Sequence, residues 1–167
     1  MDQKLTQFIR DHQDWISKEG GEKHQIKERD ITKLFVRPLL KKLGYSEKDI
    51  ETEKVVELFA GSGPYIKKGK VDVVIFDPLY RPFGIVEVKR SSVNIDNYSR
   101  AHRQIISYTN TTELQGVKWM LLTNGRKMNF YTSFNYLEAI EIDMTNRNIQ
   151  DLIKILKTLK KENMAKV

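Results

Sequence analysis

The chain has no cysteine in its 167 residues, which excludes a disulfide framework, thiol catalysis and thiolate metal sites. Histidine is nearly as scarce, with three residues scattered at positions 12, 24 and 102, so a metal site here must be built from oxygen ligands. No segment approaches the ~20 apolar residues of a membrane span, and the polar, amphipathic opening lacks a signal-peptide apolar run. A cytoplasmic protein without membrane partners is expected. A phosphate loop of the GxxxxGK[ST] type is also missing, so this chain alone could not drive translocation. Nor is there an internal repeat, a low-complexity tract or a Pro/Ser-rich linker, and residues 1–167 read as one domain. What is present is 40% hydrophobic and 31% charged residues, with 29 Lys plus Arg against 22 Asp plus Glu, a net charge of +7. That is enough apolar material for a substantial core, and the positive surplus favours an anionic partner.

Leu5, Phe8, Ile9, Trp15 and Ile16 repeat at helical spacing and predict a helix over 3–18. A second helix is predicted from about His24 to Leu43, ended by Gly44 and bent or restarted at Pro38. Between 53 and 136 the period becomes strand-like. Strands are predicted at 54–60, 70–76, 83–89, 117–123 and 127–132, with a further short one at 138–142. Asn124-Gly125 marks a tight hairpin, one helix interrupts the strands at about 97–109, and a last helix runs over 148–161. The order implies an α/β fold, a central mixed sheet of about five strands flanked by helices, with its core at 25–132 and the terminal helices packed on it.

The segment Gly69 to Arg90, GKVDVVIFDPLYRPFGIVEVKR, puts charged residues into two apolar strands. Glu87 and Lys89, two apart, share a face. A symmetric hairpin centred between Leu79 and Tyr80 places Asp72 directly opposite Glu87, and like charges so opposed destabilise a sheet unless compensated. A divalent cation would compensate, since Mg2+ takes one or two carboxylates and completes its shell with water and phosphate. Lys89 would add positive charge beside an attacking water or a phosphorane oxygen, giving a constellation for phosphodiester hydrolysis. On these residues alone a second reading stands beside it, in which the three are solvent-facing or form a cross-strand ion pair of little weight.

Asp72 followed by Glu87-Val88-Lys89 resembles the D and ExK elements of the PD-(D/E)xK nuclease superfamily. More narrowly, the chain is similar to the N-terminal nuclease domain of type I restriction enzyme R subunits and to related stand-alone restriction endonucleases. Leu34-Phe35-Val36-Arg37-Pro38-Leu39-Leu40 with Leu43-Gly44-Tyr45 resembles the family's first core helix. Val117-Lys118-Trp119, Leu122-Thr123-Asn124-Gly125 and Phe130-Tyr131-Thr132 resemble its closing hairpin, so the likeness covers about 25–132. No proline precedes Asp72, a departure from the family's name. The resemblance implies a restriction-endonuclease-like fold and a Mg2+-dependent (or Mn2+-dependent) DNA endonuclease. Asp72, Glu87 and the Val88 carbonyl would hold the metal, and Lys89 would assist the water. The family often adds an acid on the first core helix; Glu28 is the candidate, with Glu22 as fallback. Gln104 and Tyr108, four apart on one helical face, match its QxxxY element and would support the site or nearby DNA. Basic residues on both sides, Lys67, Lys68 and Lys70 before Asp72 and Arg90, Arg100, His102 and Arg103 after Lys89, would hold phosphate. The implied partners are double-stranded DNA and modification or motor subunits. Two alternatives stay open: a non-cleaving DNA-binding subunit on the same fold, and a repair or junction-resolving nuclease acting as a homodimer.

Overall fold

Helix α1 (Gln3–Glu19) buries Leu5, Ile9, His12 and Ile16 along one face. The next helix is continuous but not uniform: α2 (Glu28–Ile31) passes into a π-helical turn (Thr32–Val36) and then into α3 (Arg37–Lys42). It starts at Glu28 rather than near His24, because 25–27 are not helical. Pro38 does not break it. Proline has no N–H and its ring crowds the preceding turn, and the helix answers by widening there: the Arg37 N–H reaches back five residues to the Thr32 carbonyl. Gly44, at φ 97°, ends the helix, with the Tyr45 N–H donating to the Leu40 carbonyl, a left-handed cap that glycine takes without strain.

The computed structural model describes residues 3–19, 25–59, 66–132, 135–146 and 148–164. Its centre is a six-stranded mixed sheet in the order β1-β2-β3-β4-β5-β6, comprising β1 (Ile50–Phe59), β2 (Ile66–Phe76), β3 (Pro82–Val88), β4 (Trp119–Thr123), β5 (Lys127–Thr132) and β6 (Asn135–Asp143). Five strands were expected with a short sixth; the sixth is a full edge strand, largely exposed, which is why its apolar pattern was faint. Strands β3 and β4 pair in parallel and the other neighbours antiparallel. A parallel pair needs a crossover, and it contains α4 (Arg100–Thr109), capped by the Ser99 hydroxyl. Helix α5 (Ile149–Thr158) and the short α6 (Lys161–Met164) follow β6. The fold is α/β with a central mixed sheet flanked by helices, as expected. No helix among the described residues is long and apolar enough to cross a membrane.

Each face of the sheet carries its own core. Val73, Ile75, Val86, Val88 and Leu121 pack with α1, α2–α3 and α5, while Val71, Val74, Ile85, Met120 and Leu122 pack with Ile105 and Tyr108 of α4. Side chains on a strand alternate between faces, yet Val71 and Val73, two apart, lie in different cores. The alternation is interrupted at Asp72. On the neighbouring strand Ile50 joins the first core and Val56 the second, with Glu53 between them in the left-handed region at φ 60°. Both strands therefore change faces across the row that contains Asp72.

Gly84 is required by packing: a Cβ built there would lie 2.2 Å from Cε2 of the Trp119 indole. Overpacking of this kind costs about 1–3 kcal/mol, and we expect Gly84→Ala to lower the urea unfolding midpoint accordingly. An unchanged midpoint would show that the indole can move aside.

Candidate functional site

The β2–β3 ladder pairs Val73 with Val86 and Val74 with Ile85, and extending it one row sets Asp72 against Glu87. The turn itself is irregular, with a register shift at Phe76 and Tyr80 at φ 63°, but the shift lies at the turn end of the ladder, away from the Val73–Val86 row. The Val88 N–H donates not to a carbonyl of β2 but to Asp72 Oδ2, at 2.7 Å. Glu87 sits beside Leu122 of β4 and is 2% exposed. Lys89 Nζ lies 2.5 Å from Glu87 Oε1, while the Lys89 N–H is tied to the Thr123 carbonyl at 2.8 Å. Glu87 Oε2 is buried and has no hydrogen-bond partner among the described residues.

These surroundings set the protonation of both acids. Burial, then the Asp72 charge, push the Glu87 carboxyl up to about 8, with Lys89 pulling the other way and Glu28 adding to the rise. Asp72 is also raised, first by burial and further by Glu28, against the Val88 N–H and the charges of Lys89 and Lys70. Asp72 and Glu87 thus stand close enough for the charge of one to oppose ionisation of the other. Among the described residues no group of three or more His, Asp or Glu side chains comes together as a metal cage. The donor set among the described residues is two carboxylates, one with a buried oxygen that none of them bonds, beside the backbone of Val88. That suits a hard cation that keeps several waters.

A cleft of about 780 Å3 opens over this row. From the sheet it is lined by Thr52, Glu53, Lys70, Asp72, Glu87 and Lys89, from α2–α3 by Glu28, Arg29, Thr32, Lys33 and Arg37, and from α4 by Gln104. The structure thus brings Asp72, Glu87, Lys89, Glu28, Lys70 and Gln104 together. Glu22 lies outside the described residues. Tyr108 is 2% exposed; its hydroxyl accepts from Gln104 Nε2 at 2.7 Å and donates to the Lys70 carbonyl at 2.9 Å. The Gln104–Tyr108 pair therefore fixes β2 two residues before Asp72, and the phenol is not open to phosphate.

The basic residues after Lys89 do not gather at the cleft. His102 is buried, with Nδ1 accepting from the Tyr98 N–H and Nε2 therefore donating to the Tyr136 carbonyl; it is a structural residue. Arg90, Arg100 and Arg103 are exposed but are not among the described residues lining the cleft, and Arg103 is turned to the Tyr98 carbonyl. Lys67 and Lys68 pair with Leu58 and Glu57, further along β2. Lys70 does line the cleft and pairs with Glu53 at 2.7 Å. Sequence reasoning missed Glu53 and the cations Arg29, Lys33 and Arg37. The last three stand four apart, a signal visible in the sequence.

The model of the type I restriction enzyme R protein N terminus (HSDR_N) matches residues 27–143. No curated protein matches the sequence. Among solved structures, the fragment described as an HsdR subunit of a type I restriction enzyme from Vibrio vulnificus YJ016 is similar over 79% of this chain, with 18% identity and a TM-score of 0.53. The cryoEM structure of the DrdV–DNA complex is similar over 93%, with 16% identity and a TM-score of 0.59. This chain spans 25% of the first and 14% of the second, and at these identities the likeness is one of fold. With the family model covering most of the sequence, the Asp72 row and its cleft sit inside the matched region, and the chain belongs to the type I restriction enzyme R protein N-terminal family.

Proposed function

We propose that this chain is a nuclease domain of restriction-type defence, a metal-dependent endonuclease that hydrolyses phosphodiester bonds of double-stranded DNA in the cytoplasm. The observation that carries the reading is the Asp72–Glu87 row, with Glu87 Oε2 buried and without a hydrogen-bond partner among the described residues, and Lys89 against it. Asp72, Glu87 and the Val88 carbonyl would hold Mg2+ or Mn2+, which when bound supplies a water of lowered pKa and neutralises phosphate charge. Lys89, held by the Thr123 carbonyl through its own N–H, keeps an ammonium where it can orient that water or meet charge developing on a phosphate oxygen. Glu28 adds a third carboxylate at the cleft wall, and Gln104 with Tyr108 keeps β2 in place. Because the chain matches only part of its longer structural relatives, we further propose that it works beside modification or motor subunits.

The closed Glu87–Lys89 pair favours one competing reading, a DNA-binding subunit that does not cut, since an ammonium occupies one oxygen of the proposed ligand. Plasmid assays separate the two. Supercoiled DNA is expected to be nicked or linearised with Mg2+ or Mn2+, to stay intact in EDTA, and to be cut about 100-fold or more slowly by Lys89→Ala. Protein that binds duplex DNA but nicks it with no divalent ion would overturn the enzyme reading in favour of the binding one.

A further inference from the structure

The cleft described above is acidic on its sheet side, where Glu53, Asp72 and Glu87 stand, with Glu28 at the start of α2. A polyanion can reach the Asp72 row only if cations are presented along its path. Those expected after Lys89 do not line the cleft. The cations that do are Lys70, Lys89 and three on the helical wall, Arg29, Lys33 and Arg37. Lys70 is paired with the Glu53 carboxylate, and Lys89 lies against the buried Glu87 carboxyl. Among the described residues, Arg29 and Lys33 have no carboxylate within salt-bridge distance, and both are exposed. Arg37 shares Glu47 with Lys41, so one anion stands against two cations there.

We propose that Arg29, Lys33 and Arg37 form a track along the α2–α3 wall that grips the phosphate backbone of one DNA strand and delivers it to the Asp72 row. The proposal rests on the nuclease reading above and adds the surface by which the substrate is held. The lengths agree: eight residues of helix rise about 12 Å, which along a duplex axis matches three to four phosphates of one strand. The widened turn at Thr32–Val36 lies within the track, and Phe35, Leu39 and Leu40 on the far side anchor it in the core. Arginine and lysine contacts of this kind fix register on the backbone and read no sequence, so the track sets affinity and placement while leaving specificity elsewhere.

The test is duplex binding by fluorescence anisotropy in EDTA across a salt series. It compares wild type, Arg29→Ala/Lys33→Ala/Arg37→Ala, and Lys154→Ala/Lys157→Ala/Lys160→Ala, which removes equal charge from helix α5 and the turn that follows it. Each lost phosphate contact lowers the magnitude of the log–log salt slope by about 0.9, so the track variant is expected to lose about 2.7 and at least about tenfold in affinity at 0.1 M salt. Arg29→Gln/Lys33→Gln, which leaves the Arg37–Glu47 contact intact, is the second variant and is expected to lose about 1.8. Track variants that bind like the α5 control overturn the track and leave the nuclease reading standing. Wild type without measurable duplex binding overturns the nuclease reading itself.

Discussion

Glu87→Gln is expected to abolish cleavage and at the same time stabilise the protein above neutral pH. Glu87 is buried, faces Asp72, and its carboxyl is pushed up to about 8 from an ordinary 4.5. A carboxyl whose folded pKa lies above its unfolded value holds its proton more tightly in the folded state. Its contribution is therefore most favourable below pH 4.5 and is lost as pH rises through 8. At pH 8 and above, the wild type carries a buried charge that the unfolded chain would give to water, and the neutral amide does not. Every tenfold difference in proton affinity between the folded and unfolded chain corresponds to about 1.4 kcal/mol. Allowing for the imperfect hydrogen bonding of a buried amide, Gln is expected to gain about 2–4 kcal/mol at pH 8–9 and much less at pH 5. Urea unfolding at the two pH values reads this directly. Mg2+ is expected to recover part of the difference for wild type at pH 8 and to leave the Gln variant unmoved. A Gln variant with wild-type stability at pH 9 would mean that Glu87 is not strained in the folded protein.

A second expectation concerns acid. His12 is 4% exposed, stacks on Phe35 with ring centroids 3.7 Å apart, and bonds through Nε2 to the Gly125 carbonyl at 2.8 Å. It joins α1 to the turn between β4 and β5. Burial, only partly offset by the Gly125 bond, lowers its pKa from 6.5 to about 4. Here the unfolded chain takes up the proton first, so stability present above pH 6.5 is lost as pH falls toward 4, in total about 3 kcal/mol. Glu87 slopes the other way between 4.5 and 8, so the measurement belongs in the Glu87→Gln background. There, stability is expected to fall steadily from pH 7 to pH 4.5, and His12→Gln to flatten the fall. A slope indifferent to His12 would place the acid-sensitive group elsewhere.

The sequence made the Asp72–Glu87 row legible because two local rules were enough. A hairpin has one register in its body, and an acid in an apolar strand needs a reason to be there. The bulge near the turn could not be foreseen, but it lies at Phe76 and Pro82 and leaves the Val73–Val86 row next to Asp72 in the symmetric register. Glu28 was found because a helix pattern puts it on the edge of the sheet-facing side. The basic contacts were misjudged because nearness along the chain is a poor guide to nearness in space. Residues after Lys89 enter the crossover toward α4, where His102 turns inward, while Arg29, Lys33 and Arg37 of the cleft wall come from a helix more than 50 residues earlier. Their spacing of four was visible, but its meaning depended on which wall α2–α3 would form. The face change at Glu53 and Asp72 was hidden for another reason. It is a correlated distortion of two strands, and period-2 reasoning treats each strand as regular.

The bond from the Val88 N–H to Asp72 Oδ2 divides the two carboxylates into unlike partners. Asp72 stands in for a backbone oxygen at the end of the β2–β3 ladder, so it belongs partly to the architecture. Removing it strips the sheet of a rung as well as the cleft of an oxygen. Among the described residues Glu87 makes no such bond to the main chain, and burial opposes its charge. An inactive protein made by changing Asp72 would thus confound chemistry with folding, whereas one made at Glu87 would be inert and sturdier than its parent, and suited to trapping bound DNA uncut.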